Sequence, residues 1–185
     1  MARRTKAEAQ ATRALILDAA EQVFHAQGVS HASLAEVAKA AGVSRGAIYW
    51  HFENKIDLFQ AMLERLRLPL EELARASESE DEPDPLGCMR ELLIKALTRL
   101  ACDPQTCRLH DILRYKCEYT GELVGLRERM QALSLECDQR IAKALSNAVN
   151  KGQLPSDLDC QRAAVCLHAY MEGIEANWLL VPHFD

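Results

Sequence analysis

Long apolar runs are what this chain lacks first. No stretch approaches the roughly 18–20 consecutive apolar residues of a membrane span, which excludes a membrane-spanning protein. The opening residues, Met1-Ala-Arg-Arg-Thr-Lys6, have no apolar stretch of the signal-peptide kind, so a cytoplasmic location is expected. Aromatic residues are scarce at 5%, and glycine and proline number only eight and six. Catalytic fingerprints are missing: there is no Gly-x-Ser-x-Gly, no P-loop and no dinucleotide fingerprint. An enzyme is not expected, and no cofactor is implied. None of the seven cysteines forms a Cys-x-x-Cys pair, and an odd number without an export signal argues against a disulfide framework. Positive charge is also short. Lys and Arg number 22 against 27 Asp and Glu, a formal net charge of −5. Taken whole, that balance argues against nucleic acid.

What is present changes that reading. Apolar residues make up 49% of 185, enough for a sizeable core in one large domain or two small ones. Residues 1–55 carry seven basic side chains against five acidic ones, and the remaining 130 carry 15 against 22. The two regions therefore have opposite sign. Residues 71–85 alone hold seven acids and one base and end in Pro83 and Pro85, which reads as a helix end running into a solvated loop. Most cysteines read as small core hydrophobes. A sharper alternative is a metal or oxidation sensor using Cys102, Cys107, His110 and Cys117, but that spacing fits no standard zinc pattern, and no metal site is expected.

Helical periodicity dominates. Thr12 to Ala26 places Leu15, Ile16, Ala19, Ala20, Val23 and Phe24 on one face, and Gly28 closes the run. Ser33 and Glu36 form a capping-box pattern ahead of a short helix. Gly42-Val43 separates it from a second short helix starting at Ser44 and running to His51. Asn54 caps a longer helix from Lys55, with Leu58, Phe59, Met62, Leu63 and Leu66 on its buried side. Further helical runs cover 86–100, 105–117, 123–150 and 158–180, with breaks at Asp103-Pro104, Gly121 and Gly152–Pro155. No alternating strand pattern occurs, so the chain reads as all-α.

Two short helices around a glycine turn make a helix-turn-helix. Ala38 and Ala41 let the helices cross closely; Val43, Ile48 and Phe52 pack onto the first of them. Arg45, Ala47, Tyr49, Trp50 and His51 are left for the outer surface. Tyr49 and Trp50 are adjacent, about 100° apart around the helix, so both cannot face inward. In a major groove Arg45 is expected on guanine edges and Ala47 or Trp50 on a thymine methyl. Tyr49, His51 and Lys55 suit phosphates, as do Ser33, Ser44 and Gly46 at the helix starts. Arg3, Arg4 and Lys6 form an arm that adds phosphate or minor-groove contacts.

The stretch Ser33–Leu58, with Ile16-Leu-Asp-Ala-Ala-Glu-Gln-Val-Phe24 and Gly28-Val29 before it, resembles the signature of the TetR family of one-component transcriptional regulators. Outside that region, Leu73–Met89 and Asn147–Pro155 resemble the branch of that family that represses multidrug efflux pumps. The resemblance implies a fold of about nine helices, with a DNA-binding domain over 1–54 and a ligand-binding and dimerisation domain over 55–185. It implies a homodimer on a palindromic double-stranded operator, released when an aromatic antimicrobial or plant phenolic fills a pocket. It also implies one more helix after the segment at Trp178–Pro182. Alternatives are a regulator that senses metal or oxidation, or one that controls aromatic-compound metabolism.

Helices after Lys55 must bury their apolar faces on each other. Leu66, Leu92, Leu93, Ala96, Ile141, Leu167 and Met171 are expected to line a pocket between them. His110 with Arg114, and His168 with Glu172, put polar groups at i, i+4 on those faces, the expected form of a small-molecule site. The resemblance supports this set and adds Met89 and Cys137. The related branch has Asn and His where this chain has His110 and Arg114, Phe in place of His168 and Asp in place of Glu172. The pocket is therefore expected to be more cationic, with a leaning to phenolate or carboxylate ligands.

Overall fold

A computed structural model describes residues 6–119 and 123–181. Arg3, Arg4, the break at Gly121 and Pro182 lie outside the described residues. Among the described residues there are nine α-helices and no strand: α1 (Lys6–Gln27), α2 (Leu34–Ala40), α3 (Arg45–His51), α4 (Lys55–Arg67), α5 (Glu71–Glu78), α6 (Pro85–Cys102), α7 (Pro104–Tyr115), α8 (Val124–Asn150) and α9 (Cys160–Leu180). A 3-10 turn, Leu68–Leu70, joins α4 to α5. The chain divides into two compact units, Met1–Leu66 with Arg108–Leu126, and Arg67–Cys107 with Arg127–Asp185. The unit that holds the helix-turn-helix therefore runs past residue 54 and takes in most of α7.

In the first unit the core is apolar and dense. Ile16, Phe24, Val29, Val37, Ile48, Phe52, Leu58 and Phe59 are all but fully buried. Burial of such a side chain stabilises by about 1.5–3 kcal/mol. The register of α1 differs from the expected one: Leu17 is buried and Leu15 is 55% exposed. Leu17 follows Ile16 and flanks the Ile16–Ala20–Phe24 stripe, so one stripe neighbour is buried in place of the other. The chain leaves α1 through Gly28, and Val29 N–H then donates to the Lys116 carbonyl at 2.8 Å, tying the residues after α7 to the α1–α2 turn.

The second unit packs α6, α8 and α9 around Met89, Ala142, Ala144, Leu145 and Ala164. Ala142 and Ala144 of α8 and Ala164 of α9 are buried in this core. Polar ties set their register. Asn147 donates to the Ser77 carbonyl on α5, and His168 on α9 meets Asp138 on α8 at 2.7 Å. The acidic segment departs from expectation. Its first eight residues are not a fraying end but the separate helix α5. Glu71 and Glu78 lie two turns apart on one face, and Arg140 of α8 bonds both. That bridge gives the acidic run a partner, and only Ser79 to Asp84 remain as the connecting loop.

Candidate DNA-reading helix and effector cavity

The helix-turn-helix is built by its caps. Ser33 Oγ accepts from Glu36 N–H at 3.2 Å, and the Glu36 carboxylate accepts from Ser33 N–H at 2.8 Å, a closed capping box. The Ser33 bonds, side chain and backbone, hold the Glu36 carboxyl below its ordinary value. The turn needs Gly42, whose φ of +67° is strained for any residue with a Cβ. Val43 N–H reaches back to the Ala38 carbonyl and Gly42 N–H to Lys39, which ends α2 within one turn. Ser44 Oγ then caps α3 through Ala47 N–H.

This frame decides which side chains of α3 face out. Ile48 and Phe52 are buried, and the Arg13 guanidinium lies over the Phe52 ring at 5.1 Å. Arg45 and Gly46 are exposed, Tyr49 is half-exposed, and Trp50 is 71% exposed. Ala47 is half-buried. His51 is half-buried and stands edge-on to Trp50 at 4.5 Å. Ser33 and Ser44 are exposed, but their hydroxyls are engaged in capping.

Lys55 departs from the phosphate contact expected of it: it is 8% exposed and donates to the Val29 carbonyl at 3.0 Å and the Ser30 carbonyl at 3.2 Å. The α1–α2 turn leaves those carbonyls without helical partners, and the first residue of α4 reaches them. Lys55 here is a structural cation that fixes where α2 begins.

In the second unit a cavity of about 240 Å³ lies among α5, α6 and α8. Its walls are largely apolar, and Met89, Leu92, Cys137 and Ile141 of the expected set line it. Two charged side chains face it as a pair: Arg140 Nε donates to Glu78 Oε1 at 2.6 Å. The other side of the Arg140 fork grips Glu71 at 3.1 and 3.2 Å. Burial disfavours the guanidinium charge, but the bonds to Glu71 and Glu78 outweigh it and raise the pKa of Arg140. Arg67, also on the wall, bonds Glu136 at 2.9 Å. A larger, more open apolar cavity of about 770 Å³ takes Leu93, Leu167 and Met171 of the expected set, and Met89 lines both.

The remaining expected pocket residues fall elsewhere. Ala96 is half-buried on α6 and lines neither cavity. His168 is committed to Asp138, and Glu172 stands 3.8 Å from it with its side chain 56% exposed. The i, i+4 spacing placed Glu172 near His168 but not in the interior. Leu66, His110 and Arg114 belong to the first unit, where His110 and Arg114 are half-buried on α7. Leu66 lines a void of about 10 Å³, room for one water at most. Arg140, Glu78 and Arg67 were missed from the sequence. The signal was the seven-residue spacing of Glu71 and Glu78, which asks for a cation opposite α5.

The cysteines give little support to a thiol sensor. Burial pushes the Cys117 thiol up to about 11 and also raises Cys137 and Cys88, so the reactive thiolate is disfavoured. Cys102 and Cys107 lie in the second unit, Cys117 in the first. Among the described residues no three His, Cys, Asp or Glu side chains converge on a metal position.

Comparison with known proteins decides the family. Residues 16–62 match the bacterial regulatory proteins of the tetR family, and residues 84–185 match the MAATS-type transcriptional repressor C-terminal region. The chain belongs to the TetR family. This TetR protein is 52% identical over 182 residues to the HTH-type transcriptional regulator TtgR of Pseudomonas putida, covering 98% of this chain and 87% of that protein. Among solved structures it resembles NalD, the secondary repressor of the MexAB-OprM multidrug efflux pump in Pseudomonas aeruginosa. That match has 36% identity and a TM-score of 0.83, over 97% of this chain and 89% of NalD. It also resembles SmeT in a triclosan complex, with 35% identity and a TM-score of 0.84, over 94% of this chain and 82% of that one. SmeT is described as the repressor of the Stenotrophomonas maltophilia multidrug efflux pump SmeDEF. Among the described residues of this TetR protein no helix is long and apolar enough to cross a membrane.

Proposed function

We propose that this TetR protein is a ligand-responsive repressor of a multidrug efflux operon. It binds a palindromic operator in double-stranded DNA as a homodimer and leaves it when a small aromatic compound fills the cavity of the second unit. One observation carries the reading: a single chain holds an exposed Arg-Tyr-Trp recognition surface and, elsewhere, an apolar cavity with one ion pair on its wall. Apolar walls with few polar groups are what small-molecule sites require. The printed roles of NalD and SmeT support the efflux assignment.

Residues 1–54 read DNA, and residues 55–185 bind effector and dimerise. Arg45 reads guanine edges, Ala47 and Trp50 meet thymine methyls, and Tyr49 and His51 hold phosphates. Met89, Leu92, Cys137 and Ile141 form the effector walls. Met89 lines both cavities. The dimer presents two recognition helices about 34–36 Å apart to successive major grooves. An effector that favours another spacing weakens the complex, and a coupling of about 1–3 kcal/mol lowers operator affinity some 5–150-fold.

The test uses an operator recovered by selection from random-sequence duplexes and read by fluorescence anisotropy. Triclosan, the ligand of the SmeT complex, is expected to release the duplex at concentrations that saturate the protein in calorimetry. Saturation that leaves operator affinity unchanged would overturn the reading.

A further inference from the structure

The ion pair on the cavity wall does more than hold α5 to α8. We propose that Arg140 is the specificity-determining residue of the effector site, and that with Glu78 it selects uncharged, hydroxylated aromatic ligands over charged ones. This rests on the reading of that cavity as the effector site.

Arg140 has five N–H donors, and the bonds to Glu78 and Glu71 engage three. Glu78 uses Oε1, which leaves acceptor capacity on its carboxylate. Both residues line a largely apolar chamber, so the pair brings donor and acceptor capacity to its wall. The local charge is balanced: Arg140 and Arg75 face Glu71 and Glu78, and Arg67 is matched by Glu136. The side chains of Arg140 and Glu78 are only 22% and 20% exposed, so water screens them poorly. A phenol fits this arrangement, donating to Glu78 and accepting from Arg140 with no net charge added. A carboxylate or an amine brings a charge into a balanced, poorly hydrated site and must pull one partner off the other.

The test is a matched diphenyl-ether series: ortho-phenoxyphenol as the neutral phenol, ortho-phenoxybenzoate as the anion and ortho-phenoxybenzylamine as the cation. Affinities are measured by calorimetry on the wild-type dimer, Arg140→Met and Glu78→Gln. Wild type is expected to prefer the phenol. Arg140→Met leaves the wall negative and shifts the amine-to-carboxylate affinity ratio up by about 10-fold or more. Glu78→Gln keeps the side-chain shape, leaves the wall positive and shifts the ratio the opposite way. A purely structural role for Arg140 weakens all three ligands alike. An unchanged ratio in both variants, or a wild type that prefers a charged member, overturns the assignment of Arg140 alone. Failure of wild type to bind any of the three overturns this assignment together with the effector-site reading.

Discussion

In the first unit Glu21 is 2% exposed and bonds Arg108 at 2.9 Å, while Lys55 closes on two backbone carbonyls. In the second, Arg140 and Glu78 make an ion pair of similar length, but one side of it faces open space. The chemistry is alike and the surroundings differ. A charge closed in by packed core serves the fold. A charge pair on the wall of a cavity keeps unused donors and acceptors, and these can meet a ligand. On the proposed function, the first unit keeps its DNA contacts outside, on the exposed Arg45, Tyr49 and Trp50, and the second keeps its effector contacts inside.

The sharpest way to break this comparison is to remove the partner of a buried charge in the first unit. Arg108→Ala strips Glu21 of its 2.9 Å partner. The expected loss is about 2–3 kcal/mol by urea unfolding, below the about 3–5 kcal/mol of a wholly buried pair because the Arg108 side chain is 42% exposed. Lys55→Met leaves the Val29 and Ser30 carbonyls without its ammonium and should lower stability by about 1–3 kcal/mol in the same assay. A Lys55→Met protein as stable as wild type, but weaker on DNA and with a smaller salt slope, would return Lys55 to the phosphate contacts. Trp50→Ala should do the reverse, with stability within about 0.5 kcal/mol of wild type and a loss of operator affinity read by anisotropy.

The smallest effect expected is on acid stability. The hydrogen bonds from Arg140 hold the Glu71 carboxyl below its ordinary 4.5. Its folded value is depressed, so its contribution is complete above the unfolded value and fades as pH falls through the folded one. Thermal midpoints should therefore drop below about pH 4.5, and Glu71→Gln should fall less steeply over that range. Equal slopes would place the ion pair outside the stability of this unit.

The same contrast explains what could be read from the residues alone. Caps and turns are local, so Ser33–Glu36, Gly42 and Asn54 marked α2, α3 and α4 before any packing was known. Exposure on α3 followed, because a seven-residue helix has only one face for Ile48. The second unit depends on which distant residues meet. The spacing of Glu71 and Glu78 asks for a cation but does not say which one, because Arg140 and Glu78 are 62 positions apart. Lys55 misled for the same reason: a lysine at the head of a helix near a DNA-binding motif looks free until the α1–α2 turn is folded against it.

The central claim is that operator and effector compete through one equilibrium. Linkage makes that competition reciprocal. Triclosan affinity should be measured on the free dimer and on the dimer saturated with selected operator. The account requires triclosan to bind the operator complex more weakly, by the same factor, about 5–150-fold, by which triclosan weakens operator binding. Equal triclosan affinity in the two states would contradict it.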